Sequence, residues 1–207
     1  MLAAFTAGLL LITISELGDK TFFIAVILAM RHSRRLVFTG VVAALAVMTI
    51  LSVLVGQVAS LLPQNYVKFA EIALFLGFGI KLLYDAAQMP AEADCSEAEE
   101  ALSTVKEAEL KMPKHKSQWA IVMEAFMLTF VAEWGDRTQI ATIAMAASYP
   151  AVGVTAGAIL GHSICAAIAV LGGRMIAGRI SERIITGIGG CLFLVFGAMA
   201  ILETYKL

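Results

Sequence analysis

Long apolar stretches alternate with short polar ones along most of this chain, and they predict membrane-spanning helices. Six of them reach the length of about 20 residues that a helix needs to cross a bilayer. They lie near Leu2–Met30, Leu36–Ser60, Tyr66–Ala87, Trp119–Ala147, Ala151–Gly173 and Ile184–Thr204. The predicted fold is therefore all-α, a polytopic membrane protein with six transmembrane helices.

The composition supports this prediction and excludes some partners. The chain is 60% hydrophobic, with a mean hydropathy of +0.87, whereas soluble domains are about 45–50% apolar. A net charge of −1 argues against nucleic acid as a partner. The three cysteines form no CxxC pair and indicate no disulfide framework. We expect no cleavable signal peptide, because the first apolar stretch is too long and lacks a basic segment before it.

One charged hexapeptide occurs twice, each time inside an apolar stretch. Residues 16–21 read Glu-Leu-Gly-Asp-Lys-Thr, and residues 133–138, 117 positions later, read Glu-Trp-Gly-Asp-Arg-Thr. Gly40 matches Gly157 and Gly56 matches Gly173 at the same offset, and residues 74–79 resemble residues 192–197 at an offset of 118. An internal repeat of this kind predicts two related units. We place the first three-helix repeat at 1–87, a polar linker at 88–118 and the second repeat at 119–207.

Each predicted repeat holds three spans, so the second must enter the membrane from the opposite side. Such inverted repeats are a common transporter plan, with the substrate site near the midplane. Nearly all Lys and Arg residues of the connections fall on one side, which should be cytoplasmic by the positive-inside rule. Both termini are then expected to face outward. The basic residues on the cytoplasmic side are Arg31, Arg34, Arg35, Lys81, Lys106, Lys111, Lys114, Lys116, Arg174, Arg179 and Arg183, against Lys68 and Lys206 on the other.

The linker is acidic in its first part and basic in its last part. We expect a short helix with flexible ends there. A solvated connection is the simpler interpretation, and a regulatory or cation-attracting role is the alternative.

The repeated hexapeptide is the candidate site, because ionisable residues at membrane depth are costly and usually functional. Glu16 and Asp19 are three residues apart, as are Glu133 and Asp136, a spacing that puts each pair on one helix face. Inverted symmetry would bring the four carboxylates into one midplane cluster. The predicted supporting residues, which add hydroxyl and amide oxygens or opposite charge, are Lys20, Thr21, Arg137, Thr138 and Gln139.

The chemistry of this cluster favours a divalent cation. Four acids and two bases sum to −2, and all the ligands are hard oxygens, which suit Ca²⁺, Mg²⁺ or Mn²⁺. Neither hexapeptide contains Cys or His, which argues against zinc or copper. Crowded carboxylates repel one another, and either a proton or a metal ion relieves that repulsion. This is a physical route to metal/proton exchange, with the metal as transported substrate rather than as cofactor.

Two predicted spans are too long for a straight crossing. Leu2–Met30 would extend about 43 Å at 1.5 Å per residue, whereas the hydrocarbon core is about 30 Å thick. This span and Trp119–Ala147 must tilt or break. Gly18 and Gly135 are the candidate break points, since glycine weakens a helix and a break would free carbonyl ligands.

Other polar residues leave alternatives open. The pairs Glu16–Lys20 and Glu133–Arg137 could be i, i+4 ion pairs that only hold helices together. Glu124 could line an inner vestibule or lie at the interface, and a solvated position is favoured for Glu71. His162 could pack through a hydrogen bond or relay protons. The glycines of the fifth span suit close helix packing, either within the chain or in a homodimer: Gly153, Gly157 and Gly161.

The duplicated pattern Glu-apolar-Gly-Asp-[Lys/Arg]-Thr resembles that of the Gdt-type family of calcium/manganese cation antiporters, over nearly the whole chain. The resemblance implies export of Mn²⁺ or Ca²⁺ from the cytosol in exchange for protons, with Glu16, Asp19, Glu133 and Asp136 as motif acids. It also implies a multi-pass protein of a bacterial inner membrane that manages manganese. Two other classes stay open: an intramembrane lipid-pyrophosphate phosphatase, and a non-transporting membrane scaffold.

Overall fold

The computed structural model describes residues 1–89, 96–110, 117–176 and 181–205. These residues form helices joined by short turns, and none of the described residues lies in a strand. The all-α prediction is confirmed. The helices are α1 (Leu2–Glu16), α2 (Lys20–Arg31), α3 (Arg34–Ala59), α4 (Gln64–Gln88), α5 (Ser96–Leu110), α6 (Gln118–Ala132), α7 (Arg137–Ser148), α8 (Ala151–Ile176) and α9 (Glu182–Tyr205).

Three of the described helices are long and apolar enough to cross a bilayer by themselves. They cover Arg34–Ala59, Ala151–Gly172 and Arg183–Thr204, with mean hydropathies of 2.5, 2.0 and 2.3. The 25-residue α4 is comparable in length but carries four charged residues. The apolar helices α1 and α6 are shorter, because each ends at its hexapeptide.

The structure replaces the two overlong predicted spans by pairs of half-length helices. Helix α1 ends at Glu16 and α2 starts at Lys20, while α6 ends at Ala132 and α7 starts at Arg137. Between them Gly18 has a φ of 80° and Gly135 a φ of 85°. Backbone with positive φ cannot continue a right-handed helix, so the chain breaks rather than tilts as one rod.

Close glycine contacts pair the helices in a repeating manner. Gly157 of α8 lies against the carbonyl of Phe5 in α1. Gly40 of α3 lies so close to the carbonyl of Val122 in α6 that an added Cβ would come within 2.5 Å of it. Both contacts use positions 117 apart, and both allow the helix backbones to approach closely.

The glycine ladder of α8 is used within the chain. Gly153, Gly157 and Gly161 face Met1, Phe5 and Leu9 of α1 in that order, which makes α1 and α8 parallel neighbours.

Helices α4 and α9 form an antiparallel pair with reciprocal contacts. The side chain of Leu194 in α9 packs against Gly79 of α4, and the side chain of Leu76 in α4 packs against Gly197 of α9. Phe75 and Phe193 pack beside them, with ring centroids 5.8 Å apart, and both are buried. Each of these pairs is related by 118 positions.

The packing defines two ends of the molecule. The terminal face carries the start of α1, the α3–α4 turn, the α7–α8 turn and the end of α9, as the contacts of Gly153 with Met1 and of Tyr149 with Glu203 require. The linker face carries the α2–α3 turn, the end of α4 and the start of α6. Arg31, Arg34 and Arg35 lie at the linker face.

Helix α5 is not a free solvated connection over its described length. It packs on α2, with Ala101 and Val105 fully buried in the same apolar cluster as Phe22 and Ile24. The acidic start of the linker, before Ser96, lies outside the described residues. Four of the basic residues used to predict the membrane orientation also lie outside them, as does one cysteine: Lys111, Lys114, Lys116, Lys206 and Cys95. Arg179 lies outside them too.

Candidate functional site

The two helix breaks face each other and bring their acids together. Oxygen atoms of Glu16, Asp19 and Glu133 all lie within 4.8 Å of one another, a separation that one cation could bridge. Glu16 and Glu133 are each only 3% exposed. Their Oε1 atoms are buried without a hydrogen-bond partner. Buried polar atoms normally have partners, so this pair is open to a ligand or a proton.

Asp136 is placed differently from the other three acids. Its Oδ2 accepts hydrogen bonds from the backbone N–H of Thr138 at 3.0 Å and from the Thr138 hydroxyl at 2.9 Å. Asp136 thus caps α7 and stands outside the three-carboxylate group, although all four acids border the same two breaks. On α2 the equivalent Asp19 makes no such side-chain cap.

The two basic residues do not form the i, i+4 pairs that a purely structural role would require. Arg137 donates to Asp19 of the other break at 3.0 Å. Lys20 instead donates to Glu100 of α5 at 2.7 Å, and Glu100 is largely exposed. One base therefore lies inside the carboxylate cluster, while the other points away from it.

The hydroxyl and amide residues hold the breaks in shape. Thr21 donates to Glu16 Oε2 at 3.3 Å. Gln139 Oε1 accepts the backbone N–H of Gly135 at 2.7 Å. The Gln139 bond satisfies a backbone N–H that a continuous helix would have paired. Thr138 donates its backbone N–H and its hydroxyl to Asp136, the capping residue of α7.

A cavity of about 140 Å³ lies between the first break and the linker-face ends of α4 and α9. Its walls come from the α1–α2 break, from the linker-face ends of α4 and α9, and from α5. The lining residues that carry polar side chains are Ser15, Asp19, Asp85, Glu97, Arg137 and Thr186. Sequence reasoning did not select Asp85, because it does not lie in the repeated hexapeptide.

His162 of α8 lies beside the cluster. It is 5% exposed, and its Nδ1 is buried without a hydrogen-bond partner. The residue borders one small cavity with Glu16 and Thr21 and another with Glu133 and Thr138. A hydrogen-bonded packing role does not describe that nitrogen.

Two other acids differ from their sequence-based interpretations. Glu71, expected in a solvated position, is 4% exposed and accepts a hydrogen bond from Ser148. Glu124 is 1% exposed and lies 3.7 Å from His32 Nε2, so it belongs to the interior of the linker-face half rather than to the interface. Single acids outside a repeat give no sequence signal of their burial.

Comparison with known proteins places the sequence of this chain in a family. The family described as divalent cation/proton antiporter GDT1 matches two segments, residues 4–90 and 121–207. A GDT1-like protein of Synechocystis is 62% identical over 200 residues, which is 97% of each chain. GDT1-like protein 3 of Oryza sativa subsp. indica is 43% identical over 93% of this chain and 71% of its own length.

A chloroplastic PAM71-homolog of Arabidopsis thaliana is 41% identical over 95% of this chain and 58% of its own length. No solved structure is similar to the chain. The two matched segments each contain one helix break with its acids, and the family is one of transporters rather than enzymes. The chain belongs to the GDT1 family of divalent cation/proton antiporters.

Proposed function

We propose that this protein exports a divalent cation, Mn²⁺ in the first place and Ca²⁺ as the alternative, from the cytosol in exchange for protons. The cation binds at Glu16, Asp19 and Glu133, with Asp136 beside them. One observation carries the proposal: carboxylates from two separate helix breaks converge within 4.8 Å, and two of them keep buried oxygens without partners. Costly buried acids of this kind are expected where a cation binds within the membrane.

The backbone supports cation binding at the same place. Helices α1 and α6 both end at the site, so that the carbonyl groups of their last turns and the negative ends of their dipoles lie there. Discontinuous helices supply such carbonyls as ligands in other transporters. An all-oxygen site of carboxylates and carbonyls suits Mn²⁺ and Ca²⁺.

Proton coupling follows from competition for the same oxygens. Arg137 donates to Asp19 at 3.0 Å and offsets its charge. A divalent cation that enters the cluster replaces this contact and any protons held by Glu16 and Glu133. When protons return from the other side, they expel the cation, because proton and cation relieve the same repulsion.

The proposed architecture is a pair of inverted three-helix repeats, 1–87 and 119–207, that cross the membrane six times in total. The reciprocal contacts of Gly79 with Leu194 and of Gly197 with Leu76 support it. The family's match to two separate segments of the chain also supports it. Each repeat then contributes one broken and two continuous spans, and the two breaks meet at the midplane.

The proposed location is the inner membrane of a bacterium, with the linker face in the cytoplasm and both termini outside. The arginines at the α2–α3 turn favour this orientation. The cavity beside Asp19 opens toward the linker face, so the described conformation gives a cytosolic cation access to the site.

Flux measurements in proteoliposomes test the proposal. Uptake of Mn²⁺, Ca²⁺ and Mg²⁺ should be compared with and without an imposed pH gradient, with protein-free liposomes as the blank. We expect gradient-dependent flux of Mn²⁺ or Ca²⁺ that exceeds that of Mg²⁺, and loss of this flux in Glu16→Gln. Equal flux in Glu16→Gln and wild type would contradict the proposed site, and flux indifferent to the pH gradient would contradict proton exchange.

A further inference from the structure

Four polar side chains tie the end of α7 to α4 and α9 at the terminal face. Ser148 donates to Glu71 Oε2 of α4. Tyr149, the next residue, donates to Glu203 Oε2 of α9 at 2.9 Å. We call Glu71, Ser148, Tyr149 and Glu203 the terminal latch. None of the four belongs to a hexapeptide, and the cation site does not use them.

The latch is a contact that can open. Glu71 is almost fully buried, and its Oε1 has no hydrogen-bond partner. An apolar contact would give a drier and tighter permanent seal, whereas hydrogen bonds between side chains exchange for water at small net cost. A buried carboxylate that gains water when α7 moves away favours a reversible closure over a fixed one.

The repeat relates the closed end of the molecule to its open end. Counting 118 positions along the chain, Glu71 corresponds to Gly189, and Asp85 corresponds to Glu203. Gly189 and Asp85 both line the cavity that is open at the linker face. The same two repeat positions therefore lie in a closed contact at one end and on the wall of an open cavity at the other.

The helix packing has the same asymmetry. Near the terminal face, α4 contacts α7 and α9 contacts α1. Among the described residues, α4 and α9 make no more than marginal contact with α2 and α6, the half-helices of the linker half. The α4–α9 pair therefore packs against the half-helices α1 and α7 near the terminal face. It makes only marginal contact with α2 and α6 near the linker face, where the cavity lies.

We propose that the terminal latch is the outer gate of the transporter. In the described state it is closed while the cavity at the linker face is open. When it opens, α4 and α9 shift toward α2. His32, which stands 117 positions before Tyr149, then exchanges its contact with Glu124 for a contact with Asp85, and this new contact closes the linker face. The gating role rests on the proposed antiport function, since an outer gate has meaning only for a substrate that crosses.

Cysteine labelling tests the gate without measuring transport. In a background with Cys95, Cys165 and Cys191 replaced, one reporter is Thr186→Cys in the linker-face cavity. The other is Ala200→Cys, which stands 118 positions after the cavity residue Leu82 and is 5% exposed. Each reporter is treated in detergent with a soluble maleimide, with the latch intact and with the double substitution Ser148→Ala and Tyr149→Phe.

We expect the latch substitutions to raise the labelling rate at Ala200→Cys at least threefold and to lower that at Thr186→Cys. Ser163→Ala is the matched control, because this serine donates only to Ile159 of its own helix, and it should change neither rate. Unchanged rates at both reporters in folded, monodisperse latch variants would overturn the gate. If the double variant does not fold, Tyr149→Phe alone keeps the ring in place and is expected to shift both rates in the same directions.

The two proposals fail separately. If the labelling rates shift but proteoliposomes show no proton-coupled cation flux, the coupled movement of the two ends stands, while the proposed function and the gating role that rests on it fall. If flux is present but the rates stay unchanged, the function stands and the gate falls.

Discussion

Two glycines determine where the acids point. Gly18 and Gly135 have φ values of 80° and 85°, a region that costs other residues about 1–2 kcal/mol. The turn they allow directs the end of one half-helix and the start of the next toward a common centre. The four carboxylates of the repeat therefore depend on two residues that carry no side chain.

Gly135→Ala isolates this backbone contribution. An added Cβ at Gly135 would meet nothing within 4 Å, so that the positive φ alone is responsible for any loss. We expect the free energy of unfolding to fall by about 1–2 kcal/mol, measured as a lower thermal midpoint in detergent. Gly77→Ala is the matched control, since Gly77 is helical and equally open, and it should be neutral or stabilising by up to about 1 kcal/mol. Equal effects of the two substitutions would contradict the role of the break.

Glu133→Gln tests whether the unpartnered carboxylate oxygens bind the cation. The amide keeps the size of the side chain but removes the charge that a divalent ion needs. We expect the affinity for Mn²⁺, measured by titration calorimetry of the purified protein, to fall at least tenfold. Glu99→Gln, an exposed glutamate on α5, should leave the affinity unchanged. A retained affinity in Glu133→Gln would remove this residue from the site.

The residue types of the site could be predicted from sequence, whereas their pairings could not. Acids in a duplicated motif inside apolar segments indicate a cation site, because their burial needs a purpose. Lys20, however, pairs with Glu100, 80 residues away. No local spacing predicts that contact, since it depends on how α5 docks. The same holds for Glu71, whose burial is set by α7.

At the scale of elements, α5 is the one that changes the interpretation of the linker. Its acidic residues suggested a solvated connection, yet Ala101 and Val105 are fully buried against α2. Helix α5 also brings Glu97 to the cavity and Glu100 to Lys20. The linker helix is therefore part of the wall around the site.

Val105→Asp should release α5 from α2. An unpaired charge in an apolar contact is strongly unfavourable, and α5 packs on α2 through this contact. We expect faster proteolytic cleavage of the linker in the folded protein, detected by the time course of fragment formation. The exposed Ser103→Asp adds the same charge to the same helix and should leave the cleavage rate unchanged. Similar cleavage of both variants would contradict the docking of α5.

The sequence predicted that the two long spans are irregular, but it did not distinguish a break from a tilt. Excess length over the bilayer predicted a tilt or a break for residues 2–30 and 119–147. Only the backbone angles of Gly18 and Gly135 distinguish the two, because a glycine within a helix is tolerated at modest cost.

At the scale of the whole molecule, the repeated positions of the sequence recur in contacts between helices. The offset of 117 between Gly40 and Gly157, and that of 118 between Gly79 and Gly197, reappear as equivalent close contacts. The departure from symmetry was not predictable. The α4–α7 contact at the terminal face and the cavity at the linker-face ends of α4 and α9 differ between the two halves, and no residue pattern in the sequence indicates that difference.

The central claim is that one carboxylate cluster at the two helix breaks binds cation and protons in turn. The most direct measurement is uphill Mn²⁺ accumulation in proteoliposomes driven by an imposed pH gradient, with wild type compared with Glu16→Gln, Glu133→Gln and the control Glu99→Gln. The prediction is accumulation against the Mn²⁺ gradient by wild type and Glu99→Gln, and none by Glu16→Gln or Glu133→Gln when reconstituted in equal amounts. Uphill accumulation by either of these two variants at the wild-type rate would contradict the claim.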